Sequence, residues 1–153
     1  MKKILIIALS LVTLAACKGG MKEGAGSWLD GDKSSETGDQ TNAVNVVFFG
    51  YDSSSLDAAA KAKLVQQAQM WKDSAEKPTL VLEGHCDERG TVEYNIGLGN
   101  KRAHAVKKDL EKLGVPADKM EIISYGKERP AVEGHDEHAW KLNRRVVTIG
   151  EKK

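Results

Sequence analysis

The sequence predicts an α+β domain in which helices cover one face of a single mixed sheet of four strands. Two observations predict this class. Short runs of β-branched and apolar residues alternate along the chain with two long segments in which apolar residues recur every three or four positions. The resulting order of elements is βαβαβ followed by a final strand, and both helical segments are long enough to cover one face of the sheet.

The first strand and the first helix follow one another closely. The apolar run from Val44 to Phe49 predicts a buried strand that ends at Gly50. A helix should begin after the capping candidates Ser53 to Ser55 and end before Pro78. The predicted buried face of this helix consists of Leu56, Ala60, Leu64, Ala68 and Trp71.

The rest of the domain alternates in the same way. The predicted elements are a strand from Thr79 to Gly84, a helix from an N-cap at Thr91 to a stop at Gly114, a strand from Met120 to Ser124, a loop from Tyr125 to about Lys141, and a last strand from Arg145 to Ile149. We therefore expect the folded domain to span residues 43–150.

The amino-terminal residues have the pattern of an export signal. Lys2 and Lys3 precede an apolar run from Ile4 to Val12, which is shorter than the roughly 20 residues needed to cross a bilayer. Small residues then lead into Cys17, and this resembles a bacterial lipobox, in which the cysteine becomes the acylated first residue of the mature chain. An ordinary signal peptide that happens to contain a cysteine is the alternative. We expect a signal peptide over residues 1–16, lipidation at Cys17 and, because Lys18 is not an aspartate, retention in the outer membrane.

The segment after the lipobox is predicted to be a disordered tether. Residues 17–42 are rich in Gly, Ser, Asp and Lys and show no periodicity of apolar residues. The chain has two cysteines, so acylation of Cys17 leaves Cys86 without a disulfide partner. We expect Cys86 to be buried.

Composition excludes nucleic acid as a partner. The chain has 23 basic and 22 acidic residues and a formal net charge of +1, so it presents no broad positive field. Aromatic residues make up 5% of the chain, which leaves little surface for stacking on bases.

A polar segment, EGHCDERGTVEYN at residues 83–95, lies where the second strand ends and the second helix begins. Metal binding is disfavoured, because adjacent residues of a strand point to alternating sides and the spacing matches no known ligand motif. His85 and Cys86 should likewise point apart, which disfavours a nucleophile and base pair and makes His85 a structural residue. Asp52 and Asp87 both follow strand ends, so a hydrolase that uses them as acid and base is an alternative interpretation of this region.

Two arginines point to a different use of these carboxylates. Arg89 and Arg102 are available to the same region, and Asn95, Leu98 and Arg102 fall on one helix face at i, i+3 and i+7. Carboxylates flanked by guanidinium groups stay ionised, so such a site suits a zwitterion whose ammonium meets an aspartate and whose carboxylate meets an arginine. Ordinary surface salt bridges at strand ends are the competing interpretation.

Four segments of the chain match a known family. FFGYDSSSLD, LEGHCDERGTVEYNIGLGNKRAHAVKKDLEKLGV, SYGKERPAVEGHDE and NRRVV closely resemble the OmpA-like domain family, and within it the lipoproteins that bind the cell wall. The resemblance covers residues 44–149. It implies a domain that is not an enzyme, needs no cofactor or metal, and binds the meso-diaminopimelate of uncrosslinked peptidoglycan stems.

The resemblance also assigns roles to residues. Carried over by motif, Asp87 would hold the ammonium of diaminopimelate and Arg102 its carboxylate. The remaining pocket residues would be Tyr51, Asp52, Arg89, Asn95 and Leu98, the first two partly through backbone amides.

The resemblance further implies partners and a location. The acyl chains on Cys17 would hold the protein in the outer membrane, with the domain in the periplasm bound to peptidoglycan. TolB and other proteins of the Tol system, which acts in envelope integrity and cell division, would be protein partners. The alternative is a generic OmpA-like wall-binding module that serves another envelope complex, in secretion or motility.

Overall fold

The computed structural model describes residues 44–151. The predicted signal peptide, the lipidation site Cys17 and the predicted tether lie outside these residues. The elements in chain order are β1 (Val46–Phe48), α1 (Ala58–Asp73), β2 (Thr79–His85), α2 (Val92–Lys112), a single 3-10 turn (Ala117–Lys119), β3 (Met120–Gly126), α3 (Glu137–Asn143) and β4 (Arg145–Glu151).

The four strands form one mixed sheet in the order β1-β4-β2-β3. The last strand, β4, lies between β1 and β2 and is antiparallel to both, whereas β2 and β3 are parallel. The strands β1 and β2 are therefore not neighbours, but they run in the same direction and end at the same edge of the sheet. This confirms the predicted fold class and brings the segments after β1 and β2 together.

The hydrophobic core lies between the sheet and the two long helices. Leu64 of α1, Leu110 of α2 and Leu80 and Leu82 of β2 have no exposed surface. Trp71 of α1 is also buried, and its indole N–H donates to the carbonyl of Pro78 at 2.9 Å. Each fully buried leucine side chain stabilises the fold by about 1.5 to 3 kcal/mol.

A close backbone contact sets the position of α2. A Cβ atom built on Gly84 of β2 would lie 2.1 Å from the carbonyl oxygen of Gly99, and one built on Gly99 would lie 2.4 Å from the hydroxyl oxygen of Ser124. No side chain larger than glycine fits between the helix and the two strands at this point. The backbone of α2 therefore lies directly on the sheet, and Arg102, one turn further along, lies over the end of β2.

The first helix begins later than the sequence suggested, because a different residue caps it. The N-cap of α1 is Asp57, whose carboxylate accepts a hydrogen bond from the amide of Ala60 at 2.7 Å. The serines predicted as caps have other partners: the hydroxyl of Ser53 contacts that of Ser55 at 2.8 Å, and the carbonyl of Ser53 accepts from Arg102. For α2 the predicted N-cap is confirmed, since the hydroxyl of Thr91 accepts from the amide of Tyr94 at 3.2 Å.

The loop predicted from Tyr125 to Lys141 was partly wrong. Its last residues, from Glu137 onward, belong to α3, a helix of 7 residues that is capped by the side chain of Asp136 and ends just before β4. So short a helix carries too few apolar positions for periodicity to reveal it. Among residues 44–151 no helix is both long and apolar enough to cross a membrane.

Candidate ligand-binding site

A cavity of ≈ 190 Å³ lies at the sheet edge where β1 and β2 end. Its walls come from the segment after β1, the segment after β2 and one face of α2. The lining residues are Tyr51, Asp52, Cys86, Asp87, Arg89, Gly90, Tyr94, Asn95, Leu98 and Arg102. All seven residues that the resemblance assigned to a pocket therefore line one cavity, together with three that it did not.

Asp87 is a buried carboxylate between two arginines. Its side chain accepts hydrogen bonds from Nε and Nη2 of Arg89 at 3.2 and 2.6 Å, and Nη1 of Arg144 lies 3.5 Å from the oxygen Oδ2. Burial by itself raises the pKa of the Asp87 carboxyl, but the hydrogen bonds and charge of Arg89, assisted by Arg144, hold that pKa below its usual value. Asp87 is therefore a fixed negative charge in the cavity.

Arg89 is held between two aromatic rings. The central carbon of its guanidinium lies 4.1 Å from the ring centre of Tyr51 and 4.0 Å from that of Trp140. Its side chain keeps 31% of its surface exposed, in contrast to 6% for Asp87. Stacking of this kind favours the guanidinium by about 0.5 to 2 kcal/mol. The arginine is thus attached to the cavity wall and still in contact with solvent.

Arg144, which the sequence did not indicate as a site residue, lies behind Asp87. Its side chain is 6% exposed; Nη2 donates to Glu137 at 2.6 Å and Nε to the carbonyl of Phe49 at 3.1 Å. The third nitrogen, Nη1, has no hydrogen-bond partner among the described residues and points to Asp87. Arg144 precedes β4, so only the insertion of β4 between β1 and β2 brings it to the cavity, and no sequence pattern signals that strand order.

Arg102 is almost completely buried and is engaged by backbone carbonyls. It is 1% exposed. Its guanidinium donates to the carbonyls of Ser53 at 2.8 Å, His85 at 2.9 Å and Gly50 at 3.0 Å, and Nη1 also lies 3.4 Å from the sulfur of Cys86. These contacts use four of the five N–H groups of an arginine. Arg102 therefore joins the segment after β1 to the end of β2, and one N–H is left for the cavity.

Asp52 and two tyrosines form the rim of the cavity. Asp52 has a φ of 47°, in the left-handed region that aspartate tolerates better than most residues, and its carboxylate accepts a hydrogen bond from the hydroxyl of Tyr94. Tyr51 and Tyr94 are 64% and 53% exposed. Tyr94 was not predicted as a site residue, because it lies in the first turn of α2 outside the apolar repeat of that helix.

Asn95 and Cys86 support the floor of the cavity. The amide nitrogen of Asn95 donates to the carbonyls of Arg89 at 2.8 Å and Thr91 at 3.0 Å, which fixes the turn that carries Arg89. The thiol of Cys86 donates to the carbonyl of Asn95 at 3.3 Å, and burial raises the pKa of this thiol. Burial of Cys86 at 3% exposure is as predicted.

The side chain of His85, the last residue of β2, does not line the cavity and has other partners than that of Cys86. Its Nδ1 donates to the carbonyl of Arg129 at 3.1 Å, and burial, together with the charge of Arg145, lowers the pKa of His85 to about 4. This histidine is neutral near pH 7 and fastens the loop after β3 to the sheet. The prediction of a structural histidine is confirmed.

A second set of contacts fastens the turn after β2. The carboxylate of Glu88 accepts from the indole of Trp140 at 2.9 Å and contacts Nδ1 of His135 at 2.7 Å. The ammonium of Lys127 donates to the carbonyls of Glu88 and Gly90 at 3.1 and 2.7 Å. The turn that carries Asp87 and Arg89 is therefore held by the segment between β3 and β4. Within the part of the chain that the structure describes, no group of three or more His, Cys, Asp or Glu side chains is placed to hold a metal ion.

Comparisons with known proteins show the family and the fold of the chain. A family model described as the OmpA family matches residues 48–144. The peptidoglycan-associated lipoprotein of Pseudomonas aeruginosa is 40% identical over 161 residues, and the alignment covers 94% of each chain. The crystal structure of the peptidoglycan-associated lipoprotein from Burkholderia pseudomallei has a TM-score of 0.67 at 41% identity and covers 74% of this chain and 98% of that chain. The C-terminal domain of Helicobacter pylori MotB also has a TM-score of 0.67, at 18% identity with 72% and 87% covered, and shares the fold alone.

Proposed function

Since the chain belongs to the OmpA family, we propose that it is an outer-membrane lipoprotein whose folded domain binds peptidoglycan without catalysing a reaction. The observation that carries the proposal is the cavity that places the buried carboxylate of Asp87 beside the guanidinium groups of Arg89 and Arg102. Opposite charges at this spacing suit a ligand that carries an ammonium and a carboxylate on one carbon. The peptidoglycan-associated lipoproteins of similar sequence support the wall as the source of that ligand.

The proposed ligand is the free end of meso-diaminopimelate in an uncrosslinked stem peptide. Its ammonium is assigned to Asp87, and its carboxylate to the remaining N–H of Arg102 and to Arg89. Leu98 and Asn95 close the inner wall of the cavity. The backbone at Tyr51 and Asp52 forms the outer wall and offers amide groups to the same carboxylate.

The state of Asp87 favours binding over hydrolysis. A general acid needs a carboxyl group that stays protonated near pH 7, which requires a raised pKa. Arg89 and Arg144 act in the opposite direction and lower the pKa of Asp87. Asp87 is therefore unsuited to the role of general acid, and its pairing with two arginines favours a role in binding.

The affinity of the domain for a single stem peptide should be modest, and attachment to the membrane would strengthen the overall binding to the wall. Charge-assisted hydrogen bonds contribute about 1.5 to 3 kcal/mol each, and immobilising the ligand offsets part of this. Acyl chains at Cys17 would keep the domain close to a polymer that repeats the ligand many times, so rebinding is fast at a high effective concentration. This arrangement anchors the outer membrane to the wall.

TolB and other Tol proteins are the proposed protein partners, and their role is in the maintenance of the envelope and in cell division. TolB would bind a surface that overlaps the mouth of the cavity. The exposed tyrosines 51 and 94 at the rim are available for such a contact. TolB and a stem peptide should then compete. Simultaneous saturation of the domain by both in a pull-down would count against the overlap. The shared fold with MotB does not favour a role in motility.

The direct test is titration of the protein with two stem peptides in a calorimeter. The peptide with diaminopimelate should bind and the lysine peptide, which lacks the second carboxylate, should bind at least tenfold more weakly. Asp87→Asn should abolish sedimentation with purified sacculi, whereas Asp118→Asn, at an exposed position near the opposite edge of the sheet, should leave it unchanged. Equal loss in both variants, or undiminished binding by Asp87→Asn, would refute the assignment.

A further inference from the structure

We propose that Arg89 is an internal competitor for Asp87 and thereby makes a ligand carboxylate a condition for binding. The proposal rests on the proposed function and concerns how the same cavity distinguishes its ligands. Arg89 donates to both carboxylate oxygens of Asp87, with Nε 3.2 Å from Oδ1 and Nη2 2.6 Å from Oδ2. These are the oxygens that the ammonium of a ligand needs.

The two arginines on Asp87 differ in how firmly they are held. Arg144 is 6% exposed and is fixed from two further sides by Glu137 and by the carbonyl of Phe49. Arg89 has a side chain that is 31% exposed, and its other neighbours are the ring faces of Tyr51 and Trp140. A ring face restrains a guanidinium in one direction only. Arg89 can therefore slide between the rings and leave Asp87, whereas Arg144 cannot.

Displacement of Arg89 has different consequences for two kinds of ligand. A ligand with an ammonium alone takes the place of Arg89 on Asp87 and leaves the arginine without a carboxylate, so one ion pair is exchanged for another with no gain. A zwitterion brings its own carboxylate, which pairs with the displaced guanidinium, so one ion pair becomes two. Arg89 thus discriminates against lysine-type stems in addition to binding diaminopimelate-type stems.

Arg144 makes this exchange possible. Its Nη1 lies 3.5 Å from Asp87 and has no hydrogen-bond partner among residues 44–151. When Arg89 leaves, Arg144 remains beside the carboxylate and keeps it ionised. Removal of Arg89 by mutation should therefore leave a charged Asp87 that is open to any ammonium.

The test is the ratio of the dissociation constants for the lysine and diaminopimelate stem peptides, measured by calorimetry on wild-type protein and on Arg89→Gln. In the variant the diaminopimelate peptide should bind more weakly, the lysine peptide should bind more tightly than to wild type, and the ratio should fall by about tenfold or more, the equivalent of one charge-assisted hydrogen bond. Arg89→Lys should retain most of the discrimination, because an ammonium at position 89 still competes for Asp87.

Arg129→Gln is the matched control, since Arg129 is an exposed arginine stacked on the ring of Tyr125 at 3.9 Å and lies outside the cavity. It should change neither constant. Weakening of both peptides by the same factor in Arg89→Gln would overturn the competitor role and leave the proposed function standing. Failure of wild-type protein to bind either peptide would overturn both. Thermal unfolding midpoints within a few degrees of wild type show that each variant is folded.

Discussion

Replacing Arg102 by leucine should destabilise the domain, and the size of the effect follows from its hydrogen bonds. Arg102 donates to the buried carbonyl of His85 and to the partly buried carbonyls of Gly50 and Ser53. An unsatisfied buried acceptor costs about 2 kcal/mol, and about 0.5 to 1 kcal/mol is expected for each of the two that water can reach, which gives a total of about 3 to 4 kcal/mol. This is a large part of the 5 to 15 kcal/mol by which domains are usually stable. Loss of ligand binding in an Arg102 variant therefore combines a structural effect with the loss of a ligand contact.

The assay is urea unfolding of the wild type and of Arg102→Leu, monitored by tryptophan fluorescence. The control is Arg129→Leu, which removes the same group from an exposed position and should change the free energy of unfolding by no more than about 0.5 kcal/mol. If Arg102→Leu is also within about 1 kcal/mol of wild type, the carbonyl contacts do not hold the segment after β1 in place. Arg102 would then be free to act on the ligand alone.

Two further perturbations test other parts of the structure. The pKa of His85 is about 4 in the folded state and 6.5 in the unfolded reference state, so its neutral form stabilises the fold fully above pH 6.5. As the pH falls from 6.5 to 4, up to about 3 kcal/mol of this stability is lost. Urea unfolding between pH 7 and pH 4.5 should therefore show a smaller loss of the free energy of unfolding for His85→Gln than for wild type, and the same loss as wild type for the exposed His104→Gln. Gly99→Ala places a Cβ 2.4 Å from the hydroxyl of Ser124 and should lower the free energy of unfolding by about 1 to 3 kcal/mol. Gly97→Ala, where the added Cβ meets nothing within 4 Å, should be neutral or stabilising. Equal effects of the two substitutions on urea unfolding would contradict the close contact of α2 with the sheet.

Local patterns in the sequence were sufficient for the main elements. The change from β-branched runs to a three-to-four residue repeat located α1, α2 and the strands, because each of these elements buries one face in the same core. The cap at Thr91 was also predictable, since its side chain bonds to a residue only three positions away. In α1 the same reasoning chose serines where Asp57 is the cap, because several short polar residues were equivalent by sequence and the serines are used in the turn before the helix.

The parts that could not be predicted depend on strand order. The resemblance named seven residues that lie together in one cavity, all of them near the ends of β1 and β2 or on α2. Arg144 and Trp140 were missed, because they reach Asp87 and Arg89 only after β4 inserts between β1 and β2 and carries α3 to that edge. Pairings over such long separations in the chain leave no trace in local periodicity.

The position of β4 also has a consequence for when the domain can fold. Among residues 44–151, β1 pairs with no strand except β4, so within this part of the chain the first strand has no partner until residues 145–151 are available. The four-stranded sheet, and with it the contact of Arg144 with Asp87, therefore requires β4, and pairing over such a long separation in the chain is expected to slow folding. A truncated protein that ends at Asn143 should accordingly show no cooperative unfolding transition by circular dichroism. On the proposed route to the cell envelope, the wall-binding cavity would not form until residues 145–151 had crossed the inner membrane, so the segments that line it would cross before they could bind the ligand.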